Sequence, residues 1–179
     1  MKKLFVLAGT ILLSGMSYGQ QYFSRTGLVG FYASTPLEDI KAENNQVYVV
    51  IDVEKKQLAF SSLLKGFIFP KELMQEHFNE NYVESDKYPK ATFTGTFSGD
   101  VNVHKEGSYA VQVKGQLTLH NVVKPVEVPA TLEVKGGNLV AMTQFMVKPE
   151  DFQITIPSVV RNKIAKEVTI KVNANCISK

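Results

Sequence analysis

Between Ala91 and Val103 the chain reads ATFTGTFSGDVNV, and almost every step switches between apolar and polar. Phe93, Gly95, Phe97, Gly99, Val101 and Val103 share one face, and Thr92, Thr94, Thr96, Ser98, Asp100 and Asn102 share the other. A period of two suits only a β-strand with one dry and one wet side, because successive side chains of a strand point to opposite faces. The pattern recurs in GQLTLHNVVKPVEVPATLEV, from Gly115 to Val134. There it breaks at HNVVKP, read as a turn, and resumes with Val126, Val128, Ala130, Leu132 and Val134 on one side. A chain built this way must find a partner for one face of many strands.

The same signal covers most of the sequence after Gln46. QVYVVIDV and QLAFSSLLKGFIF read as strands, and YFSRTGLVGFYAST supplies one or two more. Tyr109 to Leu119 forms another strand after a turn from His104 to Ser108. KGGN marks a tight turn, since paired glycines beside Asn permit positive φ. Residues 139–147 are apolar on both faces, and a last strand places Val168, Ile170, Val172, Ala174 and Cys176 together. One segment differs. PKELMQEHFNENY starts with Pro70 and continues with strong helix formers, and Leu73, Met74, His77 and Phe78 fall at helical spacing. The predicted class is all-β: an antiparallel barrel of about eight strands, with one short helix near its mouth. Pro125 and Pro129 cannot donate to a strand ladder, so they mark a bulge or a strand margin with an unpaired amide side.

The first residues set the compartment. MKK, then LFVLAGTILL, then the small residues Ser17 and Gly19 have the order of a secretory signal peptide, shorter than a spanning helix. The expected organisation is a leader over residues 1–19 and one domain over residues 20–179, exported to the periplasm or secreted. The chain carries 20 Lys and Arg against 17 Asp and Glu, and the leader accounts for two of the basic residues. Such a balance offers no electrostatic reason to bind nucleic acid, and no other run is long and apolar enough to span a membrane as a helix. Cys176 is the sole cysteine, which excludes an internal disulfide and reads as an apolar core residue.

Catalytic patterns are sparse. There is no Gly-x-Ser-x-Gly elbow and no phosphate-cradling glycine loop. His104 and His120 fall in expected turns, where an exposed side chain is the ordinary outcome. His77 and Glu80 are three apart on the expected helix, with Glu76 adjacent, a two-ligand match to a metal site and a weak one. The acidic pairs Glu38-Asp39 and Glu150-Asp151 suit turns and helix starts. No catalytic residue, metal ligand or cofactor is assigned.

KYPKATFTGTF, GQLTLHNVVKPVEVPATLEV, and the pairing of EDFQITIP with IAKEVTIKV resemble the YceI-like family. The resemblance runs from about Lys87 to Asn175. It implies an exported bacterial protein with a lipocalin-like antiparallel barrel that holds a polyisoprenoid-type lipid. Where better-known members carry an Arg-Asp-x-His-Leu element before the YP motif, this chain has ELMQEHFNENYVES.

The leading expectation is therefore a non-enzymatic carrier for an apolar or amphiphilic, isoprenoid-like lipid. Phe93, Phe97, Val111, Val113, Leu117 and Leu132 would form the ligand wall, with Phe67, Met74 and Phe78 at the mouth. Gly95, Gly99 and Gly115 would either bend the strands or leave interior space. A barrel with a filled core is the alternative, acting as an interaction module through its mouth loops and segment 70–85, with His77, Asn79 and Tyr82 in contact. A metal-dependent enzyme using His77 and Glu80 is the third reading. The oligomeric state has no sequence signal.

Overall fold

The computed structural model describes residues 21–34, 39–156 and 166–179. The expected leader at residues 1–19 and Glu38 of the first acidic pair lie outside the described residues.

Eight antiparallel strands close into one barrel in sequence order. They are β1 (Gln21–Ser34), β2 (Asp39–Asp52), β3 (Gln57–Leu63), β4 (Lys90–Ser98), β5 (Gly107–Leu119), β6 (Val122–Lys135), β7 (Asn138–Val147) and β8 (Val168–Ser178). The first and last strands pair through Tyr22–Ser178 and Phe31–Ile170, which removes the exposed edges an open sheet would present. Inward positions follow the alternation: Val111 and Val113 on β5, Leu132 and Val134 on β6, and Ala174 and Cys176 on β8 are all buried. Among the described residues no helix is long and apolar enough to cross a membrane.

The two ends of the barrel differ in kind. At one end the strands are joined by residues 53–56, 99–106 and 136–137. Tyr22, Phe97, Val134, Leu139 and Cys176, none more than 6% exposed, fill the interior there. At the other end sit the long β3–β4 connection, the β5–β6 turn and the segment after β7. The β3–β4 connection carries α1 (Glu72–His77), which continues with π-type hydrogen bonding over Phe78–Tyr82. Pro70 lies just outside the helix, before its N-cap Lys71.

Several boundaries depart from the alternation. The strand expected over residues 91–103 stops at Ser98, because Gly99 turns to a φ of +119°. Val101 and Val103 still pack against the core from the loop. β2 begins at Asp39, earlier than Gln46, and β3 ends at Leu63, after which a tight turn over Leu64–Gly66 redirects the chain. That turn is held by Asn44, a fully buried side chain whose Nδ2 donates to Ser62 Oγ (3.0 Å) and to the Leu63 carbonyl (2.8 Å). Its Oδ1 accepts from the Gln46 amide at 2.7 Å. Finally, the break at HNVVKP is only two residues long. His120 and Asn121 take φ of +52° and +59°, as a tight hairpin of this twist requires, and β6 resumes at Val122.

Candidate functional site: an apolar cavity with a split wall

The barrel is not filled. A cavity of about 430 Å³ runs inward from the mouth, bounded by Val29, Val49, Ile51, Leu58, Phe60, Phe93, Val113, Leu117, Leu132 and Ala174, among others. Among the described residues its polar lining side chains are Ser62, His77, Tyr82 and Thr143, and no Lys, Arg, Asp or Glu of theirs reaches it. Ser62 Oγ already accepts the Asn44 bond. Burial pushes the Tyr82 phenol above its ordinary pKa, so it stays neutral. A space this dry has nothing to offer a charge and much to offer a hydrocarbon, at about 25 cal/mol per Å² of apolar surface removed from water.

The mouth is capped by aromatic rings. Phe31 of β1 lies 5.5 Å from Phe67, 5.4 Å from Phe69 and 5.4 Å from Phe78, centroid to centroid. Phe78 in turn meets Phe67 at 5.6 Å and Phe69 at 5.1 Å. Such pairs add roughly 0.5–1.5 kcal/mol each beyond area burial. Met74 and His77 of α1 complete the rim. The Phe69 amide donates to Gln75 Oε1 at 3.1 Å, fixing the helix to the strand-like segment it covers.

The wall itself is split on one side. β6 meets β7 only over Ala130–Lys135 with Asn138–Thr143. Toward the mouth, among the described residues, residues 122–129 of β6 pair with β5 alone, and residues 144–147 of β7 pair with β8 alone. The Pro129 carbonyl accepts from Thr143 Oγ1 at 2.8 Å, so the Pro129 backbone faces β7. Pro125, four residues away on the same unbroken strand, faces the same way. Both prolines thus sit where an N–H would find no partner on β7, which is the strand margin expected of them. The turn at Pro149–Phe152 packs against β6 at this seam, and Phe152 and Ile154 line the cavity. The seam's outer flanks carry Val123 and Met146, 56% and 66% exposed.

His120 ties these pieces together and corrects the expectation of an exposed turn histidine. Its side chain is only 11% exposed. Nδ1 lies 3.0 Å from the Phe152 carbonyl, Nε2 lies 2.9 Å from Glu84 Oε2, and the ring stands edge-on to Tyr88 at 4.5 Å.

Of the expected ligand wall, Phe93, Val113, Leu117 and Leu132 line the cavity, as do Phe67, Met74 and Phe78 at its mouth. Phe97 and Val111 are buried but outside the lining, because they lie toward the closed end where side chains fill the bore. The glycines do not create the space. Gly95 and Gly115 are cross-strand partners, and a Cβ on Gly95 would come within 2.9 Å of the Phe93 ring and 2.8 Å of the Gly115 Cα. Their missing side chains are thus occupied by a neighbouring ring and the facing strand. Phe31, Phe69, Phe60, Phe152 and Ile154 were not expected at the site. Alternation in GLVGFYAS and FQITI carries the inward signal for Phe31, Phe152 and Ile154. His77 and Glu80 are exposed, and among the described residues no three His, Cys, Asp or Glu side chains gather to hold a metal ion.

Eight antiparallel strands closed around an apolar pocket define a lipocalin-like β-barrel. The YceI-like domain model matches residues 24–176, and the chain belongs to that family. Among solved structures it is similar to a polyisoprenoid binding domain from Saccharophagus degradans implicated in plant cell wall breakdown, at 12% identity and a TM-score of 0.75, covering 90% of this chain and 99% of that one. It is also similar to BcnA of Burkholderia cenocepacia, at 16% identity and a TM-score of 0.70, covering 82% and 94%. No curated protein matches at the sequence level.

Proposed function

We propose that this protein is an exported, non-enzymatic carrier that holds an amphiphilic, isoprenoid-like lipid inside its barrel. The observation that carries this reading is the cavity of about 430 Å³ whose lining, among the described residues, contains no Lys, Arg, Asp or Glu. A hydrocarbon tail gains burial there without needing polar contacts. The structural likeness to a polyisoprenoid binding domain supports the choice of lipid. Export rests on the basic start, apolar run and small-residue exit of residues 1–19. The cavity argues against the filled-core interaction module.

The test is mass spectrometry of an organic extract of the protein purified from its own host. Near-stoichiometric prenyl lipid is the expected result, and an extract without any bound lipid overturns the reading. The intact mass of the same preparation reports whether the chain starts at Gln20.

A further inference from the structure

Resting on the lipid-binding reading, we propose that the cavity accepts a single uncharged tail of about three to four isoprene units, seated tail-first, and that longer prenyl chains gain no further affinity. A protein cavity of about 150 Å³ houses one benzene ring, or ~25 Å³ per carbon. On that scale the 430 Å³ found here takes ~17 carbons. The bore cannot lengthen inward, because Phe97, Leu139 and Cys176 occupy the closed end at 3%, 0% and 0% exposure. A charged head group finds no Lys, Arg, Asp or Glu among the described lining residues, so it stays at the mouth beside His77 and Tyr82. Carbons beyond the cavity's capacity lie outside the wall and lose no contact with water.

The experiment is displacement of N-phenyl-1-naphthylamine from the delipidated protein by geraniol, farnesol, geranylgeraniol and octaprenol. Affinity is expected to rise roughly tenfold or more per added unit up to geranylgeraniol, then to change less than about threefold at octaprenol. A further tightening of about tenfold from geranylgeraniol to octaprenol overturns the length limit and leaves lipid binding standing. Displacement by none of the four alcohols removes both. Ala141→Phe fills part of the cavity and moves the plateau to farnesol or shorter, and an unmoved plateau counts against this cavity as the tail site.

A separate observation, the split wall, locates the ligand's path. The geometry points to passage between β6 and β7, with the Phe152 turn as the closure and His120 as its catch. β6 and β7 share no ladder bonds over residues 122–129 and 144–147, two of the seam's backbone positions are prolines, and its outer flanks are apolar at Val123 and Met146. Among the described residues, the turn's packing and the His120–Phe152 bond close it on the mouth side. The competing path is under α1, where the Phe69–Gln75 bond is the tie. Stopped-flow transfer of a pyrene-labelled prenyl alcohol to phosphatidylcholine vesicles separates them. His120→Asn is expected to raise uptake and release together by about tenfold, the worth of one hydrogen bond, with Kd nearly unchanged, while Gln75→Ala leaves both rates near the parent's. Acceleration by Gln75→Ala alone, or a His120→Asn change in release without uptake, overturns the assignment.

Discussion

His120 Nε2 lies 2.9 Å from Glu84 Oε2 while Nδ1 of the same ring lies 3.0 Å from the Phe152 carbonyl. A carbonyl can only accept, so Nδ1 is the donor in the bond to Phe152. One imidazole thereby joins the β5–β6 turn, the segment after the helix and the turn after β7. His120→Asn keeps a residue that tolerates the left-handed φ of +52° but loses the span to Glu84. It is expected to lower stability by about 1–3 kcal/mol in urea unfolding. Glu84→Gln, whose amide can donate to a neutral Nε2, is expected to cost less. Equal losses in the two variants would argue that the ring's role is packing alone.

Gly115 and Gly136 separate steric from torsional need. A Cβ on Gly115 would meet the Phe93 ring at 2.5 Å and the Gly95 Cα at 2.7 Å, besides the Thr94 carbonyl. Gly136 has nothing within 4 Å but holds a φ of +57°. Gly115→Ala is expected to cost about 1–3 kcal/mol by overpacking, and Gly136→Ala about 1 kcal/mol by backbone strain. Adding Phe93→Ala should recover part of the Gly115→Ala loss in a double-mutant cycle and none of the Gly136→Ala loss.

Asn44→Ala strands the buried Ser62 Oγ and takes the partner from the Leu63 carbonyl and the Gln46 amide, whose bonds are part-buried. The expected loss is about 1–3 kcal/mol, the cost of one stranded buried group. Hydrogen exchange should rise first in residues 62–67, the turn that Asn44 holds.

Burial pushes the Cys176 thiol up to about 11 from an ordinary 9.0. The unfolded chain therefore releases this proton first. The contribution to stability is whole below about pH 9 and falls as the pH rises toward 11, by up to roughly 2–3 kcal/mol. Cys176→Ala should flatten that part of the stability profile. Ellman's reagent at pH 8 should leave the native thiol unmodified and react once denaturant is added. Rapid labelling of the native protein would contradict burial of the thiol.

The barrel wall was legible in the chain because alternation is local: each residue's neighbours two steps away settle which face it shares. Phe93, Val113, Leu117 and Leu132 could be assigned inward on that ground alone, and the helix followed from Pro70 and the spacing of Met74 and Phe78. Pro125 and Pro129 announced an unpaired margin, since a missing N–H is a property of the residue. What alternation cannot say is how far along the bore an inward residue lies. Phe97 and Val111 share the face of Phe93 and Val113, yet they plug the closed end while the latter line the cavity. That division depends on the stagger of eight strands together. The glycines misled for a related reason: a missing side chain looks like space until the Phe93 ring is found in it. His120 was out of reach altogether, because its partners Glu84 and Phe152 are 36 and 32 residues away and leave no local pattern. The sequence by itself determined an alternating chain that must close on its own apolar face. Only the tertiary structure decided that the enclosure is hollow at one end, plugged at the other and split along β6 and β7, because hollowness, closure and seam are sums over strands distant in the chain.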